Sequence, residues 1–267
     1  MKAVVVTNPG GPEVLKVREV EDPAVGDDEV LIKVEATALN RADTVQRKGS
    51  YPPPKGASPY PGLECSGTIL AVGRSVDPSR WKVGDQIHGG SSGIGTFAIQ
   101  IAKHLGIRVF VTAGSEEKLT ACKNFGADVC INYKTEDFVA RVKEETGGKG
   151  VDVILDNVGG SYLQRNLDSL ATDGRLFIIG FQGGTVTEVN LSCLLARRLT
   201  VQAAGLRGRN PENKAMIVRE VEKHVWPAIG EGKVKPVVYK AFPLSEAAEA
   251  HRLMESSSHI GKILLIP

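Results

Sequence analysis

Gly89-Gly90-Ser91-Ser92-Gly93-Ile94-Gly95 is the stretch of this chain whose composition most directly specifies chemistry. A helix that starts just after such a turn presents unpaired backbone N–H groups and the positive end of its dipole, a combination that binds pyrophosphate. Glycine suits the turn because phosphate oxygens must come close to the backbone and the dihedrals are ones other residues avoid. The spacing Gly90-x-x-Gly93-x-Gly95 is a variant of the dinucleotide fingerprint. Taken alone, it also fits a bare strand-to-helix turn that holds nothing. Gly90, Ser92, Gly93, Ile94 and Gly95 are the candidate phosphate contacts.

The next predicted strand ends Val111-Thr112-Ala113-Gly114-Ser115. A dehydrogenase that selects NADH usually places Asp or Glu here, bonded to the ribose 2′-hydroxyl. Ser115 stands in that place, with Lys118 three residues on. A hydroxyl and an ammonium suit a 2′-phosphate, which a carboxylate would repel, so NADPH is the expected cofactor. The plainer reading makes Ser115 a helix cap and Lys118 a solvated surface charge, and Glu116 and Glu117 count slightly against a phosphate. Asp156-Asn157-Val158-Gly159-Gly160 and Gly180-Phe181-Gln182-Gly183-Gly184 close two later strands. In open parallel sheets the ligand lies beyond the carboxyl ends of the strands, so Asn157, Gly180 and Phe181 are candidate contacts, against the alternative of ordinary loop residues.

Other chemistries find little footing. Cys65, Cys122, Cys130 and Cys193 are scattered without metal or redox spacing, as expected of reduced thiols in an intracellular, cytoplasmic protein. The five histidines show no ligand spacing, and there is no serine nucleophile elbow. A short-chain dehydrogenase would match the size and the glycine loop. That class puts the loop near the N-terminus and uses Tyr-x-x-x-Lys on a helix. The only such spacing here, Tyr51-Pro52-Pro53-Pro54-Lys55, holds three prolines that no helix interior accommodates.

The elements that must position these residues come in two rhythms. Residues 1 to about 85 read as short β-strands punctuated by Pro, Gly and Asp, with a loop rich in proline from 51 to 61. From Gly89, strand alternates with helix: helix 94–105, strand 108–112, helix 116–125, strand 128–132, helix 136–145, strand 151–156, helix 161–170, strand 175–180, strand 199–204 and a long helix 211–229. That alternation means βαβ units and a parallel sheet. A strand, a helix capped by Ser245 and a last strand close the chain. The expected fold class is α/β, a Rossmann-like parallel sheet domain beside a β-rich domain.

Composition agrees with a soluble globular protein: 267 residues, 42% hydrophobic, 24% charged. A net charge of +2 and 5% aromatics give no electrostatic or stacking basis for nucleic acid. The apolar runs are strand-sized, short of the ~20 residues that span a bilayer. No membrane partner is expected.

The combination of Asn8-Pro9-Gly10-Gly11-Pro12-Glu13-Val14-Leu15, Ala38-Leu39-Asn40-Arg41-Ala42-Asp43, Gly49-Ser50-Tyr51-Pro52-Pro53-Pro54, Pro61-Gly62-Leu63-Glu64-Cys65-Ser66-Gly67, the glycine loop, Thr112-Ala113-Gly114-Ser115, Ile131-Asn132-Tyr133 and His259-Ile260-Gly261-Lys262-Ile263 resembles the zinc-independent quinone oxidoreductases of the medium-chain dehydrogenase/reductase superfamily, and within them the p53-inducible quinone oxidoreductase-like branch. The resemblance implies a GroES-like catalytic domain at 1–88, here truncated, a dinucleotide-binding Rossmann domain at 89–235, and a C-terminal segment, 236–267, that returns to the catalytic domain. The active site would lie in the cleft. Zinc members carry Cys where Asn40 stands and His where Leu63 stands. Two ligand positions are therefore lost, together with the cysteines of the structural zinc lobe, and no metal is expected. Without a Lewis acid, an alcohol is a poor substrate. A quinone or conjugated enone accepts hydride with its charge delocalised onto oxygen. By resemblance, Asn40, Asp43 and Tyr51 form the catalytic end, with Tyr51 donating to the developing oxyanion or else packing in its proline-rich loop. Tyr133 joins Ser115 and Lys118 at the 2′-phosphate, and Lys262 is a further cofactor contact. Relatives of this kind are often homodimers, and 177–181 with 199–204 would offer an edge.

The chain departs from the pattern at one place. Family members carry several dozen residues between a Gly-Asp like Gly84-Asp85 and the glycine loop, whereas here Val83-Gly84-Asp85-Gln86-Ile87-His88 runs straight into Gly89. This reads as an internal deletion, of the kind a splice isoform carries. Only Gln86-Ile87-His88 is left to serve as the strand before the loop, and a central parallel strand should be longer and almost wholly apolar. Two outcomes are open: a fold kept around a gap, with weak NADPH binding and little turnover, or an unstable, non-catalytic NADPH-binding or regulatory variant.

Overall fold

The protein is described as a computed structural model covering residues 1–88 and 93–267. It divides into two compact units, one of residues 1–101 with 231–267 and one of residues 102–230. In chain order the first unit opens with an antiparallel hairpin, β1 (Lys2–Val6) and β2 (Leu15–Glu19). Its turn ends in one 3₁₀ turn at Pro12–Val14, where proline's fixed φ suits the first helical position. There follow β3 (Val30–Ala38), α1 (Arg41–Arg47), β4 (Cys65–Val72), β5 (Gln86–His88) and α2 (Ile94–His104), which runs on into the second unit.

The second unit holds β6 (Phe110–Ala113), α3 (Glu116–Asn124), β7 (Val129–Asn132), α4 (Phe138–Glu145), β8 (Val151–Asp156), α5 (Leu163–Ser169), β9 (Leu170–Ile178), α6 (Ser192–Arg197), β10 (Thr200–Ala203), α7 (Pro211–His224) and α8 (Trp226–Gly230). The single long helix expected from Pro211 is two, because Pro227 has no N–H to continue the ladder. The chain then returns to the first unit with β11 (Val238–Pro243), α9 (Ala247–Ser256) and β12 (Lys262–Ile266).

In the first unit five strands pair in the order β11-β12-β3-β4-β5. The tail strand β12 is parallel to β11 and antiparallel to β3, with Leu264 opposite Ala38 and Leu265 opposite Thr37. A Cβ on Gly67 would lie 2.0 Å from the Lys33 carbonyl oxygen, so only glycine lets β4 run this close to the irregular stretch of β3. Helix α9 buries Ala247, Ala250, His251 and Met254, one face at helical spacing. That face meets Val4, Leu15, Leu39, Phe242, Ile263 and Leu265 in a common core. Arg47, at the end of α1, has a fully buried side chain. It donates through Nε to the Gly10 carbonyl (3.0 Å) and through Nη2 to Glu255 (2.7 Å), and its Nη1 lies 3.2 Å from His251 Nδ1. This network ties α1 to α9 and to the first turn.

In the second unit the strands are parallel, as the βαβ rhythm implies, but they form two sheets: β6-β7, and β10-β9-β8. Among the described residues no strand joins β6 to β8. The three residues expected to serve there, Gln86-Ile87-His88, pair antiparallel with β4 in the first unit instead, with Thr68 opposite Gln86 and Ser66 opposite His88. So short a segment, with two polar members out of three, cannot cover both faces of a central parallel strand, whereas the free edge of β4 accepts it. On β8, Val153 and Leu155 stay 46% and 50% exposed. In a sheet closed by a central strand such residues would be covered.

Candidate functional site

In the first unit Asn40 ends the link between β3 and α1, where it is the N-cap. Its backbone N–H donates to Asp43 Oδ2 (2.7 Å), and the Gly62 N–H donates to Asp43 Oδ1 (3.1 Å). One buried carboxylate thus fixes both the start of α1 and the loop before β4. The Asn40 amide donates to Glu64 Oε1 (3.0 Å), and its oxygen accepts from Lys262 Nζ (3.3 Å). Lys262 and Glu64 are also in direct contact, with side chains 5% and 6% exposed. Thr37 Oγ1 donates to the Glu64 carbonyl (2.7 Å) and anchors that backbone to β3. Burial pushes the Lys262 ammonium from its ordinary range down to about 8, against the opposing pull of Asp43.

The described part of the glycine loop sits in the same unit. A Cβ on Gly93 would lie 3.2 Å from Gly261 Cα, so the start of α2 packs directly against the turn that delivers Lys262. Thr96 Oγ1 donates to the Gly93 carbonyl (3.0 Å). A Cβ on Gly95 would meet nothing within 4 Å, and Ile94 is half-exposed. No contact among the described residues therefore demands glycine at 95. Gly90 and Ser92 lie outside the described residues.

In the second unit Ser115 caps α3, its Oγ accepting from the Lys118 N–H (3.4 Å). Parallel pairing of Ala113 with Asn132 brings the carboxyl ends of β6 and β7 side by side. A Cβ on Gly114 would lie 2.5 Å from Tyr133 Oη and 3.0 Å from Lys134 Cε, so Gly114 lets the Tyr133 ring cross the backbone next to Ser115. Glu116, the acidic neighbour that weighed against a phosphate, accepts from Asn132 Nδ2 (2.9 Å). Ser115, Lys118 and Tyr133 thus gather at one strand-end corner.

The loops after β8 and β9 are laced together. Gly183 N–H donates to the Val158 carbonyl (2.6 Å), Gln182 N–H to that of Asn157 (3.2 Å) and Gly160 N–H to that of Gly184 (2.8 Å). A Cβ on Gly180 would lie 3.1 Å from the Asn157 oxygen, and Phe181 is 54% exposed. Buried Asp156 anchors the pair by accepting from the Val158 (2.8 Å) and Gly159 (2.9 Å) N–H groups.

Of the residues named from sequence, Asn40, Asp43 and Lys262 come together in the first unit, and Gly93 packs beside Gly261. Tyr51 lies on the loop after α1, 39% exposed. Glu64, Asp156 and Lys134 were not named for a site. Glu64 lies within the Pro61–Gly67 motif, but nothing local to it marks Lys262 as its partner. Within the second unit, a concavity of about 500 Å³ bordered by Lys143, Lys149, Asp168 and Arg197 lies at the amino ends of β8 and β9, whereas Asn157 and Gly180 follow their carboxyl ends.

Zinc does not suit the first-unit cluster. Asn40 offers an amide, Leu63 an alkyl chain 45% exposed, and the Lys262 ammonium already occupies the place between Asn40 and Glu64. The described residues contain no group of three or more His, Cys, Asp or Glu able to hold a metal ion, and none of their helices is long and apolar enough to cross a membrane.

Residues 26–127 match the family model described as alcohol dehydrogenase GroES-like domain, and residues 93–222 the model described as zinc-binding dehydrogenase. A quinone oxidoreductase of Rattus norvegicus is 29% identical over 330 positions, covering 100% of this chain and 98% of its own length. Because this chain has 267 residues, the surplus positions have no counterpart in it. Among solved structures, a quinone oxidoreductase of Pseudomonas syringae pv. Tomato DC3000 superposes with a TM-score of 0.86 at 27% identity, covering 100% and 99% of the two chains. A quinone oxidoreductase of Escherichia coli complexed with NADPH gives 0.84 at 28%, with the same coverage.

Proposed function

The chain belongs to the medium-chain dehydrogenase/reductase superfamily, and from that premise we propose that it catalyses metal-independent hydride transfer from NADPH to a quinone or conjugated enone, weakened by an internal deletion. In this reading residues 1–88 with 236–267 are the truncated catalytic domain and 89–235 the dinucleotide-binding domain. NADPH, when bound, supplies the hydride. What carries the cofactor assignment is the corner where Ser115 caps α3 through the Lys118 N–H, the Tyr133 ring crosses Gly114, and the nearby Glu116 carboxylate is engaged by Asn132. These residues would hold the 2′-phosphate. Gly93, Ile94 and Gly95 would present N–H groups to the pyrophosphate, which accounts for a glycine at 95 that no contact among the described residues requires. Asn157, Gly180 and Phe181 would border the rest of the cofactor.

On the reacting side, Tyr51 donates a hydrogen bond to the oxygen on which charge develops. Asn40, Asp43 and Lys262 shape the polar floor. With an ammonium where zinc members hold a metal, no Lewis acid polarises an alcohol, so the favoured substrates are those that delocalise charge by conjugation. The deletion is supported by the aligned positions this chain lacks and by the division of the parallel sheet between β6 and β8.

NADPH titration of the purified chain by fluorescence, with and without a quinone, tests the proposal. Binding with slow, quinone-dependent oxidation is expected. Binding without oxidation favours a non-catalytic NADPH-binding or regulatory variant, the second reading that the divided sheet supports. No binding sinks both. Turnover as fast as a full-length relative's refutes the impairment.

A further inference from the structure

Lys262, Asn40 and Glu64 close a triangle of side chains. The ammonium donates to Asn40 Oδ1 (3.3 Å), the Asn40 amide nitrogen donates to Glu64 Oε1 (3.0 Å), and the ammonium touches the same carboxylate. The three residues come from three separate segments: the end of β3, the start of β4 and the start of β12. Each segment is held independently. The Asn40 backbone is tied by Asp43, Glu64 by Thr37, and Lys262 by its own N–H to the Val237 carbonyl (2.7 Å). The two charged ends leave the amide no choice of orientation. A flipped amide would turn its N–H groups on the ammonium and its oxygen on the carboxylate, two repulsions in a place almost closed to water. The second N–H of the amide points to the Ala38 carbonyl at 3.4 Å. Both donors are therefore spent inside the protein, and what Asn40 has left is a lone pair on Oδ1.

We propose that Glu64 and Lys262 act as one positioning pair that locks the Asn40 carboxamide with its oxygen as the only free valence, so that Asn40 can accept a hydrogen bond from a bound ligand but not donate one. The proposal rests on the reading that places Asn40 at the reacting end. It changes what Asn40 can do there. A quinone oxygen, itself an acceptor, gains nothing from Asn40, and the donor to the developing oxyanion has to be another group. It also gives Lys262 its work inside the protein, on Asn40, rather than in direct contact with a ligand.

Nuclear magnetic resonance of the full chain labelled with ¹⁵N-asparagine tests the pair without turnover. In the native chain the Asn40 side-chain protons are expected to exchange with water at least tenfold more slowly than those of a free asparagine, with a resonance displaced from the exposed asparagines. Lys262→Gln and Glu64→Gln should each remove the displacement, and Lys262→Arg should restore it. Free-asparagine exchange in the native chain overturns the proposal, as does an Asn40 resonance indifferent to both substitutions. Should the glutamine variants fail to fold, the native exchange rate and the Lys262→Arg spectrum still decide. The NADPH titration reads the functional premise separately: no binding with a protected Asn40 amide sinks the reading of function and leaves the pair standing.

Discussion

At the residue scale, the proposed 2′-phosphate corner and the buried Arg47 network each carry a prediction. Lys118→Ala should weaken NADPH binding about tenfold and leave NADH unchanged, the loss expected for one charged hydrogen bond of roughly 1.5 kcal/mol, read by fluorescence titration. Gly95→Ala should leave the melting temperature unchanged or slightly raised, since its Cβ enters open space and alanine favours helix. It should nonetheless weaken NADPH binding if phosphate approaches there. The Arg47 network sets a pH window. Burial holds His251 neutral, with its pKa down from 6.5 to about 4, and Arg47 reinforces this. Stability from that group is complete above pH 6.5 and is lost as pH falls through 4, a difference on the order of 3 kcal/mol. Arg47 and Lys48 overcome burial to hold Glu255 down at about 2, so its share is present above pH 4.5 and fades toward 2. Lys262 runs at the other end: the cost of burying its ammonium is present below pH 8 and is relieved as pH rises toward 10.5. Denaturant melts from pH 7 to 4 should fall steadily, and His251→Asn should flatten the slope between 6.5 and 4. An unchanged slope would show that His251 is not the sensor. The residues of the proposed cofactor corner could be named from the sequence because Ser115 and Tyr133 follow the ends of β6 and β7 and Lys118 lies in the first turn of α3. The Glu64–Lys262 contact could not, since nearly two hundred residues separate partners that only the pairing of β12 with β3 brings together.

Among elements, the loops after β8 and β9 depend on glycine. Gly159 has φ 79°, and a Cβ there would lie 2.9 Å from Phe181 Cδ1 and 3.0 Å from the Gly184 carbonyl. Gly159→Ala should cost about 1–3 kcal/mol in a thermal melt, in contrast to Gly95→Ala. A melting temperature equal to the native chain's would mean the two loops are less interlocked than their hydrogen bonds imply. The free edge of β8 carries a second expectation. Val153→Lys replaces an exposed aliphatic chain on a strand that, among the described residues, is paired along one edge only, so it should reduce light scattering on storage with little loss of stability. Most of the strand and helix order was legible here because strand and helix patterns alternate after residue 93, but the six-residue α6 (Ser192–Arg197), which buries no residue, was not. The pairing of β5 was not. A three-residue strand carries too little pattern to name its neighbour, and the choice between two sheets was made by the open edge of β4.

Across the whole molecule, the α/β class followed from the change of rhythm after the glycine loop. The return of the chain's end to its beginning rested on the resemblance alone, because nothing in 236–267 by itself names β3 as a partner. What local pattern could not show is that the parallel strands of the second unit form two sheets, β6-β7 and β10-β9-β8, in place of one. Among the described residues, the backbone N–H groups of β8 that point away from β9 have no strand to receive them, whereas residues Arg175–Ile178 of β9 are flanked by β8 on one side and β10 on the other. Deuterium should therefore enter β8 in an alternating pattern, one amide fast and the next slow, while the middle of β9 stays dark longest. Under the proposed deletion, the strand missing from between β6 and β8 is thereby recorded as a rhythm in time along β8.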